Sequence, residues 1–241
     1  NKTNWDTSGR YLLAQQAPYK DVRLAPDCVA AIGYFDLEQG QRFHRVSETR
    51  AWNWQMGSQL QWLDGAGGLK LIHNERRPDG DGRYAGFGSV IVDARTGERT
   101  KLPLPVYVVS PDSQYAICVD YRRLYVTHET IGYSEDGGPF ELPLAPGDDG
   151  LHRMDLATGE SRLILSYQQL RDNARDEVVL ATKFGMQIGD DRRKSGGSRR
   201  WIMRAVEDSL RRLDTDWIDL YQLHVPDAAT PIAETISVNI S

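Results

Sequence analysis

Two residues capable of acid–base work stand at the ends of two apolar runs. Lys183 lies near the end of Val-Val-Leu-Ala-Thr-Lys-Phe, residues 178–184, and His224 directly follows Trp217 to Leu223. Both runs have the length and character of a parallel strand buried on both faces. Between them Ser198 is a good N-cap. Ile202, Ala205, Val206, Ser209, Leu210 and Leu213 then recur at three- and four-residue steps, which predicts an amphipathic helix ended by Asp214 and Thr215. Strand, helix, strand is a βαβ unit, right-handed if the strands are parallel. Such a unit brings Lys183 and His224 to one rim although they are 41 positions apart in the chain. An ammonium and an imidazole on a shared rim are groups that can steer a proton.

The stretches 178–185, 198–213 and 215–224 together resemble part of an aldo-keto reductase, over residues about 171–235. The resemblance implies a (β/α)8 barrel, in which chemistry sits where the strands end. It also implies roles. Lys183 would lower the pKa of a proton-donating Tyr, His224 would orient the substrate carbonyl, and hydride would come from NADPH. The family takes its Tyr, and the Asp that pairs with the Lys, from an upstream segment of the type Asp-Thr-Ala-x-x-Tyr-Gly. No such segment occurs in this sequence. The Ser-Asn pair that holds the nicotinamide amide and the basic loop that grips the cofactor phosphate are not found either. The pattern stops at Ile236, and Ser237 to Ser241 do not continue it. A barrel of roughly 250 residues does not fit into this stretch. The expectation is therefore a reductase-derived segment with an incomplete catalytic set. Enzyme activity is left open, NADPH is implied by resemblance alone, and no bound cofactor is the other outcome.

The first two thirds repeat. Phe35-Asp36-Leu37-Glu38-Gln39-Gly40, Val92-Asp93-Ala94-Arg95-Thr96-Gly97 and Met154-Asp155-Leu156-Ala157-Thr158-Gly159 each place an apolar residue before Asp-x-x-x-Gly, with the Asp residues 57 and 62 positions apart. A second element, Asp6 to Leu13, recurs in outline as Ser110 to Ile117, and Trp62-Leu63-Asp64-Gly65 is a degraded third copy. Both elements are turns rich in Asp, Gly and Ser followed by a short apolar strand. Alternation in Leu124, Tyr125, Val126 and Thr127 suggests one such strand. Short strands with turns at regular spacing suggest propeller blades, and the turn patterns resemble those of WD40-like and TolB-like propellers.

The expected fold class is thus mainly β: about three antiparallel propeller-like blades over residues 1–166, then a C-terminal βαβ segment of (β/α)8-barrel type over residues 171–241, both parts incomplete. Three blades leave the outer sheet edges open. Tyr167 to Arg171 pass from one pattern to the other with no Pro/Gly/Ser spacer, which reads as a chimera of fragments or as an arc whose helix caps the open edge. The chain begins at Asn1 without Met, and its start is expected to be a cut.

Other candidates carry two readings each. Trp52, Trp54 and Trp62 are either packing between blades or an aromatic floor for a sugar ring. Arg192, Arg193, Lys194, Arg199 and Arg200 are either a solvated loop and helix start or a phosphate site. Asp79-Gly80-Asp81-Gly82 lacks the glycine and glutamate positions of a calcium loop. Gly86 to Ser89 precede a strand, not a helix, and make no phosphate cradle; Asp148 and Asp149 read as turn residues. His44, His73, His128 and His152 have no metal-ligand spacing, so no metal is expected. Neither half of the chain is basic and its net charge is −5, which argues against nucleic acid. No apolar run spans a membrane. Cys28 and Cys118 are too few and too distant for a disulfide framework, so a reducing, cytoplasmic setting is expected. The alternative function is a propeller binding module for a protein or glycan partner, or part of a polysaccharide-processing enzyme.

Overall fold

The computed structural model describes residues 4–20, 22–40, 42–63, 69–77, 86–128, 130–134, 146–173, 179–188, 191 and 193–237. The 79–82 stretch, Arg192 and the 64–65 turn fall outside these residues. Among the described residues thirteen strands outnumber four helices, so the chain is mainly β. It divides into two compact units, Asn1–Ser166 and Tyr167–Ser241.

The N-terminal unit contains three antiparallel sheets, each a meander in chain order. The first holds β1 (Tyr11–Gln16), β2 (Ala30–Asp36) and β3 (Phe43–Thr49). The second holds β4 (Gln61–Trp62), β5 (Lys70–Arg77), β6 (Gly86–Asp93) and β7 (Arg99–Leu102). The third holds β8 (Val106–Val109), β9 (Tyr115–Cys118), β10 (Gly150–Asp155) and β11 (Ser161–Ser166), with helix α1 (Tyr121–Thr127) between β9 and β10.

The repeated Asp turns are built alike. Asp93 Oδ1 accepts from the N–H groups of Arg95 and Thr96, and Asp155 Oδ1 from those of Ala157 and Thr158. Gly97 and Gly159 take φ of 77° and 75°, which glycine adopts without a Cβ penalty. These backbone donors hold both carboxyls below the usual range. The second element also repeats: Gly9 (φ 71°) and Ser113 (φ 55°) occupy the same left-handed position, the fourth residue of each copy.

The sheets stack through two apolar layers. Leu13 and Ile32 of the first sheet meet Trp62, Leu71, Val90 and Val92 of the second. Leu63, Ile72 and Leu102 meet Val106, Ala116, Cys118 and Met154 of the third. Successive residues of a strand face opposite ways, so Leu71 enters one layer and Ile72 the other, and the middle sheet is covered on both faces. Each of these two fully buried side chains contributes about 1.5–3 kcal/mol of transfer free energy.

The same alternation places polar bridges. His73 faces the first sheet, where its Nε2 lies 2.8 Å from Ser47 Oγ. Asn74 faces the third, donating to Val106 O (2.9 Å) and to the Tyr133 hydroxyl (3.0 Å) and accepting from Val106 N (2.7 Å).

Residues 124–127, expected as a strand, are helical. Asp120 caps α1 by accepting from Arg122 N at 2.9 Å, and the fully buried Tyr121 stacks on Tyr133 with ring centroids 4.2 Å apart. Four alternating residues cannot outweigh a cap and a buried aromatic anchor.

In the C-terminal unit α2 (Tyr167–Asn173) precedes β12 (Ala181–Phe184), α3 (Arg199–Leu213), β13 (Leu220–Leu223) and α4 (Ile232–Ile236). β12 and β13 are parallel, in register from Ala181↔Leu220 to Phe184↔Leu223. Ser198 Oγ caps α3, accepting from Trp201 N, and Asp214 ends it in the left-handed conformation (φ 51°). Trp201, Ile202 and Ala205 of α3 pack on Phe184, Tyr221 and Leu223. The strands are shorter than the apolar runs and are not buried on both faces as expected: Ala181, Lys183, Leu220 and Gln222 are exposed. One helix can cover only one face of a two-stranded sheet.

Candidate active site

Lys183 sits opposite Gln222 in the parallel ladder, on the face turned away from α3. His224 N donates to Phe184 O at 2.8 Å, which extends the ladder one step beyond Leu223. Lys183 and His224 are therefore at the carboxyl ends of adjacent strands, and both side chains are exposed. At the other end of the ladder Leu180 N donates to Asp219 Oδ2 (2.7 Å), while Asp219 N and Leu220 N both donate to Leu180 O.

The loops beyond these strand ends are clamped to each other by Asp227, a residue that sequence reasoning passed over. Its carboxylate accepts from Gly197 N (2.7 Å), Thr230 Oγ1 (2.6 Å) and Ala229 N (3.0 Å). The Thr230 hydroxyl and these backbone donors hold the Asp227 carboxyl below its ordinary range. The signal available in the sequence was an Asp followed by Thr three residues on, a common turn pattern with nothing in it to reveal the Gly197 contact. Gly196 is required by the approach of Asp227, and Gly197 by that of Thr235. A Cβ on Gly196 (φ 84°) would lie 2.4 Å from Asp227 Oδ2, and one on Gly197 2.6 Å from Thr235 Oγ1.

The glycine turn that leads into α3 is already committed to the protein. Gly196 N donates to Gly185 O, Gly197 N to Asp227 and Arg199 N to Glu234 Oε1. At the helix start itself Trp201 N is likewise engaged, by the Ser198 hydroxyl oxygen. Of the basic cluster, Arg193 pairs with Asp191 (3.0 Å), and Arg193, Lys194 and Arg200 line a cavity of about 420 Å³ with Ser198, Trp201 and, from outside the cluster, Arg204.

The three tryptophans do not stay together. Trp62 is buried between the first two sheets, against Tyr11 and Tyr34, with its Nε1 donating to Asn4 O. Trp52 and Trp54 meet edge to face, 5.0 Å apart at 78°. Trp52 is buried and Trp54 is half exposed. His73 is a buried core residue, and Asp149 forms a buried ion pair with Arg123 (3.0 Å) as well as standing beside a turn. Among the described residues no group of three or more His, Cys, Asp or Glu is placed to hold a metal ion, and no helix is long and apolar enough to cross a membrane.

Comparison with known proteins bears on the C-terminal geometry. The model of the Aldo/keto reductase family matches residues 159–238. Aldo-keto reductase YhdN of Bacillus subtilis (strain 168) is 36% identical over 111 residues, 44% of this chain and 34% of that protein. L-glyceraldehyde 3-phosphate reductase of Escherichia coli (strain K12) is 35% identical over 63 residues, 26% of this chain and 18% of that protein. A probable voltage-gated potassium channel subunit beta of Oryza sativa subsp. japonica is 39% identical over 84 residues, 33% of this chain and 24% of that protein. The chain thus spans about a third or less of the length of these relatives. The aldo-keto reductase likeness of the C-terminal part stands on these matches. The family-model match begins at Gly159, in the turn before β11, so it includes a strand that here belongs to the third sheet of the N-terminal unit.

Proposed function

We propose that residues 171–241 carry part of a carbonyl-reducing site of aldo-keto reductase type, with Lys183 and His224 as its two catalytic residues, and that the chain by itself does not complete the reaction. The observation that carries this reading is the parallel register of β12 and β13. It sets Lys183 and His224 at the carboxyl ends of adjacent strands, with α3 confined to the opposite face. An ammonium there favours the anion of a phenol brought beside it, and so lowers the pKa of a proton-donating tyrosine. An imidazole N–H at the neighbouring strand end donates to the carbonyl oxygen and fixes its direction. In this chemistry NADPH supplies the hydride when bound.

The residues described here fit the substrate carbonyl rather than the cofactor. The cation and the imidazole suit that carbonyl, and the glycine turn before α3 has its Gly196, Gly197 and Arg199 N–H groups engaged within the protein. The Asp-Thr-Ala-x-x-Tyr-Gly segment is also absent from the sequence. Residues 1–166 are read as an arc of about three propeller-like blades, supported by three meanders stacked face to face and by the repeated Asp turns. Their union with the reductase-like segment is read as a chimera, in a cytoplasmic setting.

The test uses 4-nitroacetophenone, a carbonyl probe, with the full chain. The probe is expected to shift the imidazole signals of His224 and the methylene signals of Lys183 in NMR, and His224→Ala is expected to abolish the effect on Lys183. NADPH absorbance at 340 nm is expected to stay at the blank rate. Absence of any shift at probe saturation of its solubility overturns the assignment of the two residues. NADPH consumption that disappears in Lys183→Met overturns the incompleteness.

A further inference from the structure

We infer that the basic cavity beside the start of α3 binds the phosphoryl group of a small phosphorylated molecule. The cavity has a volume of about 420 Å³, within the range that holds small ligands. Among the described residues, four cations line it with one carboxylate: Arg193, Lys194, Arg200 and Arg204 against Asp191. Asp191 takes up one of the four, because its two oxygens accept from Arg193 at 3.0 and 3.2 Å. The side chains of Lys194, Arg200 and Arg204 form neither an ion pair nor a hydrogen bond with any described residue. Lys194 and Arg204 act on Asp191 and Asp208 through space only, and those carboxylates are bonded to Arg193 and Arg211. The surplus of positive charge is local, since the chain as a whole carries −5. The loop that presents it is tied to itself: Ile188 N donates to Lys194 O, Lys194 N to Asp191 O and Gly196 N to Gly185 O. Little ordering is left for binding to impose on that loop.

The chain accepts local costs to gather these charges. The first turn of α3 carries Arg199 and Arg200 and no acid, which opposes the helix dipole. Arg200 and Arg204 stand one turn apart, where like charges repel. At the far end of the same helix Arg211 and Arg212 lie as the dipole favours. Local rules broken without a compensating partner are expected at functional sites. A second observation comes from Trp201, which lines the same cavity. It is 4% exposed, and its Nε1 is a buried donor that no acceptor in the protein meets. The Ser198 hydroxyl accepts from Trp201 N, which leaves its own hydrogen to donate. Cations and donors together call for a ligand with negative charge and several acceptor oxygens. A single carboxylate would leave most of the charge unanswered, whereas the tetrahedral oxygens of a phosphoryl dianion match two guanidinium forks and an ammonium. Neither half of the chain is basic, so the ligand is small rather than a nucleic acid. The backbone N–H groups of the glycine turn are engaged within the protein, so recognition falls to side chains.

The site includes neither Lys183 nor His224 and does not rest on the reductase reading. The test is calorimetric titration of the full chain, at fixed ionic strength, with inorganic pyrophosphate, with glycerol 3-phosphate and with sulfate as the control anion. At least one phosphoryl compound is expected to bind saturably, at least roughly tenfold more tightly than sulfate, and to shift the Trp201 indole N–H signal in NMR. Arg200→Gln and Arg204→Gln are each expected to weaken binding at least roughly tenfold, the loss of a charge-assisted hydrogen bond. Both side chains are exposed, so the fold is expected to survive either change. Arg212→Gln, which removes the same charge from the same helix outside the cavity, is expected to change nothing. Binding of both phosphoryl compounds supports a phosphate monoester as the ligand, and binding of pyrophosphate alone supports a diphosphate. Failure of both to bind at roughly 10 mM, equal affinity for sulfate, or equal weakening by Arg212→Gln overturns the inference.

Discussion

Acid should weaken the N-terminal unit through His73 before any carboxylate is involved. The ring is fully buried, and its hydrogen bonds define a neutral tautomer. Nδ1 lies 2.9 Å from Asn74 O and must donate to it, so Nε2 is the acceptor for the Ser47 hydroxyl at 2.8 Å. Arg99 in turn donates to Ser47 Oγ at 2.8 Å. Burial, opposed by the bond to Asn74 O and assisted by the Arg99 charge, brings the His73 pKa down to about 4 from 6.5. The folded pKa is the lower one, so between these values the unfolded chain binds the extra proton. The stabilisation is complete above about pH 6.5 and is lost as pH falls toward 4. Integrating the two titrations from pH 7 to pH 5 yields a loss of about 2 kcal/mol.

Urea unfolding of wild type and His73→Gln at both pH values isolates this group, because the Gln variant keeps every other titrating residue. Wild type is expected to lose about 2 kcal/mol more than the variant on going from pH 7 to pH 5. The carboxylates of Asp93 and Asp155 also have lowered pKa values, but they act below this window and cancel in the comparison. Equal losses in the two proteins would refute the reasoning. They would mean that the folded protein admits a charged imidazole, through water or through movement of Arg99.

Two further outcomes are expected. Asn74→Ala removes two hydrogen bonds between the second and third sheets and a third to the Tyr133 hydroxyl, strands the buried Val106 N–H, and should cost about 2–4 kcal/mol in urea unfolding with Tyr133 losing its ordered environment in NMR. Asp214→Gly relieves the left-handed C-cap of α3 at the expense of an exposed ion pair to Arg171, so hydrogen exchange of the α3 amides should be unchanged or slowed; faster exchange would show that the ion pair matters more than the backbone.

What was legible in the sequence is what depends on near neighbours in the chain. The turns at Asp93 and Asp155 could be read because the carboxylate, the N–H groups it accepts from and the glycine all lie within four residues. α3 could be read because its cap, its apolar spacing and its ending are local. Lys183 and His224 could be placed at one rim because a parallel βαβ unit has few alternatives. Other features needed the partner across the gap. Leu124 to Thr127 alternate like a strand, but the packing of Tyr121 on Tyr133 makes them a helix. Trp54 and Trp62 are eight positions apart in similar surroundings; Trp62 enters a core layer and Trp54 stands half exposed at a cavity. Nothing near Asp227 in sequence announces Gly197, and nothing near His73 announces Ser47. By itself the sequence determined the local turns, the helix ends and the chemistry available at two strand ends. Only the tertiary structure decided which faces are covered, because burial and hydrogen bonding between distant segments depend on how the sheets stack rather than on any residue's own preference.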